Sequence, residues 1–471
     1  MGLMNAILFS GARIIDPARG LDQIGDILVA DGKVLDPGPK ITSPIPKDTQ
    51  IINLSGLVLC PGLIDIHAHL REPGQTAKET IATGTRAAAR GGFTSIVCMP
   101  NTSPVIDNSS TVAHVLETAR RTAVVNVFVA GAITKGLAGE ELAPIGSLKS
   151  AGVVALSDDG HCVQNNEIMR RAAEYAKMFS LPLLDHCQDY SLVTDGVMNE
   201  GYWSTLLGLR GWPAVGEQTI VARNILLAEL TGTHFHCQHL SSTGSIKLIK
   251  EAKKQGLPIS AEACPHYLAL TDSALAGSEE FWKNDGQTYL KPFSQFTKPA
   301  AWPRYDTNFK VNPPIRTASD RQSILEAVAD GTIEIIATDH APHTNDEKTV
   351  EFDYAPFGVI GLETAFAISL NMLYHSRMMD LSDLIARFTT GPARLLALQK
   401  GSLHKGADAD VTVFDPDQEW IYTRESSLSK SANSPFFGWP MKGKVLGTWV
   451  NGKQAWQAEE MNKRIKQTKS K

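Results

Sequence analysis

Two histidines one residue apart, His67 and His69, close an apolar run in the segment Asp65-Ile66-His67-Ala68-His69-Leu70-Arg71. Alternate side chains of an extended strand share a face, so both imidazoles can reach one metal ion. Polar groups also stand at the ends of later apolar runs. Asp158-Asp159 follows Val153–Leu156, His186 follows Pro182–Leu184, His239 follows Thr233–Cys237, and Asp339 follows Ile333–Ala337. Neighbours on an extended chain face opposite ways, so Asp158 and Asp159 compete for one role. Four histidines and two aspartates meeting at one point suit two borderline-soft divalent ions, zinc first, with manganese or cobalt as alternatives. Four carboxylates would instead suit magnesium or calcium. A divalent ion of this kind lowers the pKa of a bound water toward about 7 and polarises a carbonyl. A neighbouring carboxylate can take the proton of the resulting hydroxide-forming water and return it to a leaving nitrogen. Asp339, in Thr338-Asp339-His340-Ala341-Pro342-His343, is the candidate. The expected reaction is hydrolysis of an amide, or its reversal.

Such a convergence needs strands whose C-terminal ends meet. Between residues 58 and 337 apolar runs recur, each followed by a polar cluster and a helix-like segment. Val58–Ile66, Thr94–Met99, Val124–Ala130, Val153–Leu156, Pro182–Leu184, Thr233–Cys237, Pro258–Ala263 and Ile333–Ala337 are the runs. Ala77–Arg90, Glu167–Lys177, Gln218–Leu230, Ser245–Lys253 and Ser319–Ala329 carry helical periodicity. Eight such units predict an α/β fold, a (β/α)8 TIM-like barrel whose chemistry sits at the C-terminal ends of its strands. An open doubly wound sheet is the alternative. Short strand-like pieces at both ends, with Asn451-Gly452 as a hairpin signal, predict a small β-sandwich built from the two termini. The expected division is 1–58 with 395–458 for the β domain and 59–394 for the catalytic barrel. Residues 272–310, rich in Trp, Phe and Pro, are too long for an ordinary βα connection. They are expected to be a packed surface insertion; a lid or a subunit contact is the other reading.

Bulk properties narrow the class. The 471 residues are 43% hydrophobic and 20% charged, with net charge −5. That balance carries no nucleic-acid footprint. The basic end, 459–471, reads as a solvated tail. Six scattered cysteines without a CxxC pair point to a reducing compartment, hence the cytoplasm. His114, His375 and His404 read as core or surface residues. His161, His234, His236 and His266 lie near the expected face without being assigned to metal.

The stretch Pro61-Gly62-Leu63-Ile64-Asp65-Ile66-His67-Ala68-His69-Leu70-Arg71, with Gly406-Ala407-Asp408-Ala409-Asp410, resembles signatures of the amidohydrolase superfamily. Within it, the chain is similar to dihydroorotases of the longer bacterial type. The marks are His69-Leu70-Arg71-Glu72-Pro73-Gly74, Met99-Pro100-Asn101-Thr102, Lys310-Val311-Asn312-Pro313-Pro314, Thr338–His343 and Ala355-Pro356-Phe357-Gly358. The resemblance implies a zinc-dependent hydrolase of pyrimidine biosynthesis that interconverts dihydroorotate and N-carbamoyl-aspartate, with two zinc ions per chain. It implies that His67, His69 and Asp339 hold one ion, that His186 and His239 hold the other, and that Asp159 bridges them. It further implies that Arg71, Asn101 and His343 meet the substrate carboxylate, that Asn312, Phe357 and Gly358 meet the ring, and that His69 also contacts the substrate. Related hydantoinases and allantoinases carry a bridging carboxylated Lys on the fourth strand. Here Val154-Ala155-Leu156-Ser157-Asp158-Asp159 has none. The excursion before Asn312 is longer than that family's usual connection. Competing readings are an allantoinase- or hydantoinase-type cyclic amidase and a non-catalytic subunit of an aspartate transcarbamoylase complex. A homo-oligomer, alone or with aspartate transcarbamoylase, is the expected assembly.

Overall fold

The computed structural model describes residues 6–293 and 300–467. Eight parallel strands follow one another around a single sheet: Leu63–Ala68, Phe93–Cys98, Asn126–Gly131, Ala155–Ser157, Leu183–Asp185, Phe235–Cys237, Ile259–Ala263 and Ile335–Ile336. The last approaches the first, where Ala68 bridges His340 and the His69 amide donates to the His340 carbonyl at 2.8 Å. Asp65 ties the same seam, accepting from Thr338 N at 2.9 Å and Thr338 Oγ1 at 2.7 Å. Burial pushes this carboxyl up to about 7. Ile64, Val97, Ala130, Ala155, Leu184 and Ile335 pack in one cluster. Side chains from strands across the sheet meet this way when it curls into a barrel, so the open-sheet alternative does not hold.

Polar caps decide where the surrounding helices begin. The helix expected from Ala77 starts at Ile81, because the Thr80 hydroxyl accepts from Thr83 N at 3.1 Å and ends the preceding loop. Asn165, Ser242 and Thr317 cap Asn166–Lys177, Thr243–Lys254 and Ala318–Asp330 in the same way. Such caps satisfy amides that a helix start would leave unpaired.

The run Val58–Ile66 divides between two sheets. Val58–Pro61 pairs with the strands Ala6–Asp16 and Val411–Ile421, and Leu63 begins the barrel. Gly62 stands between them, and a Cβ there would lie 2.0 Å from Thr94 Oγ1 and 2.6 Å from Thr94 Cβ. No rotation of Thr94 moves its own Cβ. Gly62→Ala should therefore destabilise the fold by about 1–3 kcal/mol; an unchanged Tm would contradict the contact.

The two ends of the chain build the second β unit, as expected, from nine hydrogen-bonded strands around one apolar core. Ala6–Asp16 is long enough to pair along one edge with both Gln50–Asn53 and Val58–Pro61. Over its described residues the basic end is anchored rather than a solvated tail. Glu459–Arg464 forms a 3-10 helix anchored by buried Met461, and Ile465–Gln467 pairs antiparallel with Gln50–Asn53. Lys469 and Lys471 lie outside the described residues.

The aromatic excursion packs inward. Trp282, Trp302 and Tyr289 gather around Trp439 from the C-terminal segment, with ring centroids 4.7, 5.7 and 4.8 Å away. Phe296 and Pro299 lie outside the described residues. No described helix is long and apolar enough to cross a membrane.

Candidate active site

Strand ends bring the charged groups together at one mouth of the barrel. His67 lies on the first strand and His69 just beyond it; Asp159, His186, His239 and Asp339 follow the fourth, fifth, sixth and eighth. All six are buried. The structure turns Asp159, not Asp158, toward the cluster. Asp158 instead accepts from the Ile133 and Thr134 amides at 2.7 and 3.0 Å.

Asp159 occupies the centre. Its Oδ2 lies 3.2 Å from both His67 Nε2 and His69 Nε2, while its Oδ1 lies 3.2 Å from His186 Nδ1 and 3.3 Å from His239 Nε2. One carboxylate oxygen therefore faces each histidine pair. Asp339 Oδ1 closes the first side at 3.1 Å from His69 Nε2 and 3.5 Å from His67 Nε2. Ligand atoms of His67, His69 and Asp339, and of His67, Asp159 and His239, lie within 4.8 Å of one another. His67 reaches into both groups, whereas the expected division placed it on one side only.

The donor set fits divalent cations. His67 Nε2 is buried without a hydrogen-bond partner. Its Nδ1–H donates to Glu262 Oε1 at 2.6 Å, which turns Nε2 toward the aspartates, where it would bind a cation on losing its proton. A carboxylate behind a metal-binding histidine fixes tautomer and orientation in this way. Burial disfavours charge on His67, yet Asp159, Glu262 and Asp339 outweigh it and hold its pKa well above the ordinary imidazole value. Burial also works against Asp159 and Asp339, but the surrounding imidazoles, His67 foremost, keep both carboxyls below the usual range. The pocket thus concentrates negative charge that a bound cation would neutralise.

Glu262 was not singled out by sequence reasoning. The available signal was a carboxylate inside the apolar seventh strand, where burial demands a partner. It also accepts from His236 Nε2 at 3.1 Å, which shows His236 as a support rather than a ligand. Glu262→Gln should weaken metal binding by roughly 10- to 100-fold. Competition with a chelator measures this, and wild-type retention would count against the role.

At the histidine–aspartate cluster opens a cleft of about 340 Å³, lined by His69, Arg71, Asn101, Asn312, His343, Phe357 and Gly358 among others. No described residue of 272–310 lines it. Arg71 is 7% exposed and forms no ion pair among the described residues; its Nε donates to Pro342 O at 3.2 Å. Three site residues have left-handed backbone, with φ of 60° at Arg71, 34° at His239 and 45° at Asp339. Such left-handed values cost L-residues energy that the surrounding packing must hold. His69 Nδ1–H donates to Asn101 Oδ1 at 2.8 Å, so the Asn101 amide N–H groups remain for a ligand. Asn312 Nδ2 donates to Gln188 Oε1 at 3.1 Å, and its Oδ1 is buried without a partner. His343 Nε2–H donates to Phe357 O at 2.9 Å, and its Nδ1 faces Lys78 Nζ at 3.3 Å. Burial, then the charges of Arg71 and Lys78, push His343 down to about 3, so it is neutral at physiological pH. Gly358 has φ +130°, and a Cβ there would come within 2.9 Å of the Ala341 carbonyl. Its N–H and C=O are both engaged, by Lys310 O and Asn433 Nδ2.

Known proteins are similar to this chain over nearly its whole length. The dihydroorotase of Citrifermentans bemidjiense is 46% identical over 96% of this chain and 100% of its own length. That of Geobacter sp. strain M21 is also 46% identical, over 96% of this chain and 99% of its own. The chain belongs to the dihydroorotase family. The family model described as Dihydro-orotase-like matches residues 56–245. Among solved structures, the L-hydantoinase (dihydropyrimidinase) of Arthrobacter aurescens superposes with TM-score 0.81 at 21% identity, covering 96% of each chain. The dihydropyrimidinase of Brevibacillus agri NCHU1002 gives TM-score 0.78 at 22% identity, over 95% of this chain and 94% of its own. At that identity the likeness is one of fold.

Proposed function

We propose that the chain interconverts (S)-dihydroorotate and N-carbamoyl-L-aspartate in pyrimidine (UMP) biosynthesis, as a zinc-dependent cyclic-amide hydrolase. Arg71 carries the choice of substrate. A buried guanidinium without an ion pair, at the rim of a cleft beside the cation cluster, needs an anionic group on the ligand. Dihydroorotate bears a ring carboxylate; hydantoin and allantoin do not.

In this reading His67, His69 and Asp339 would hold one zinc ion and His186 with His239 a second. Asp159 serves both, which its two oxygens support by facing different histidine pairs. Bound zinc would supply Lewis acidity to the ring amide carbonyl and acidity to the attacking water. Asp339, ionised in its imidazole surroundings, takes the proton of that water and delivers it to the ring nitrogen as the C–N bond breaks. The reverse sequence closes the ring. Arg71, His343 and the Asn101 amide hold the substrate carboxylate, with His69 beside it. The free Asn312 Oδ1 accepts a ring N–H. Phe357 and Gly358 wall the ring, Gly358 by leaving out a side chain.

Cytoplasmic placement belongs to the same proposal and is supported by six cysteines that are all free and buried. Exposed Tyr202, Leu206, Leu226 and Leu230 support a homo-oligomer, or a complex with aspartate transcarbamoylase. Purified protein loaded with zinc should convert N-carbamoyl-L-aspartate to dihydroorotate, lose that activity to a chelator and regain it with zinc. Conversion that persists in metal-free protein would contradict the proposal.

A further inference from the structure

Asn433 lies between the terminal-sheet strands Val411–Ile421 and Pro440–Val450, 90 positions beyond His343, and is 3% exposed. All its side-chain hydrogen bonds run to the backbone of the substrate side of the cleft. Oδ1 accepts from His343 N at 3.0 Å. Nδ2 donates to Ala341 O and to Gly358 O, each at 3.0 Å. Its own carbonyl accepts from Ile360 N at 3.0 Å. These contacts join two separate connections, 339–343 after the last barrel strand and 356–360. A carboxamide suits the spot for a chemical reason. The Ala341 and Gly358 carbonyls point at one site and require two N–H donors there, while the His343 amide requires an acceptor beside them.

We propose that Asn433 is a positioning residue that sets the geometry of the substrate-carboxylate pocket. The strip it fixes carries His343 and also supplies the Pro342 carbonyl on which the Arg71 guanidinium rests. Asn433 does not line the cleft, so it acts through these groups. The proposal rests on the reading of Arg71 and His343 as carboxylate-binding groups.

The test uses full-length, zinc-loaded protein with Asn433→Asp and Asn433→Ser. The first keeps the shape but sets a carboxylate oxygen against two carbonyls; the second keeps one small donor. Either variant should raise KM for dihydroorotate about tenfold or more, with kcat within about threefold of the unaltered chain. Metal content should stay unchanged. An unaltered KM in both variants overturns the proposal alone. So does a parallel loss of kcat and metal, or a failure of both variants to fold, either of which assigns Asn433 to stability. Absence of dihydroorotate turnover by the unaltered chain would overturn the functional reading beneath it.

Discussion

Asp339→Asn should lower kcat by about 10³-fold or more while the protein still binds metal. Proton transfer by a placed side chain contributes roughly 10²–10⁴ to such reactions. Asparagine keeps the shape but cannot accept the water proton. The structure explains why the carboxylate is suited to the task. Its Oδ1 stands 3.1 Å from His69 Nε2, and the imidazoles around it hold it ionised against the effect of burial. The strained φ of 45° at this residue shows that the end of the eighth strand is held to one geometry. His67, His69, Asp159, His186 and His239 remain to bind metal. Steady-state kinetics with metal analysis on one preparation separates the two effects. Near-normal turnover would remove Asp339 from the proton path.

Arg71→Ala should act on the other half of the site, raising KM for dihydroorotate with a smaller effect on kcat. Removing one partner of a desolvated charge pair costs about 2–5 kcal/mol, roughly 30-fold to several thousand-fold in affinity. Arg71 is placed for this size of effect because it is buried, yet no described carboxylate pairs with it. Neutral His343 lines the same pocket without adding a second charge. Arg71→Lys should recover little, since a point charge cannot reproduce the planar fork. An unchanged KM in Arg71→Ala would reject the carboxylate clamp.

Much of this site was legible because strand geometry makes spacing informative. His67 and His69 are two apart on a strand and fall side by side, with ring centroids 5.4 Å apart. The other ligand candidates stood at the ends of apolar runs, and barrel closure brings such ends together. The choice between Asp158 and Asp159 was not open to local reading. It depends on the Ile133 and Thr134 amides, which capture Asp158 from a neighbouring strand end. Glu262 and Asn433 escaped notice because their meaning lies in long-range partners, 195 positions away at His67 and 90 at His343. The end of the chain misled through its charge. Its lysines suggested solvent, whereas buried Met461 and the pairing of Ile465–Gln467 with Gln50–Asn53 anchor it. The aromatic excursion was readable as ordered, but its partner Trp439 comes from beyond the barrel and could not be inferred from the segment itself.

The most direct measurement compares initial rates of zinc-loaded protein on dihydroorotate, hydantoin and allantoin under identical conditions. A buried Arg71 that no described carboxylate pairs with, beside the histidine–aspartate cluster, predicts kcat/KM for dihydroorotate at least about 10²-fold above either carboxylate-free ring. Equal or faster hydrolysis of hydantoin or allantoin would contradict the account.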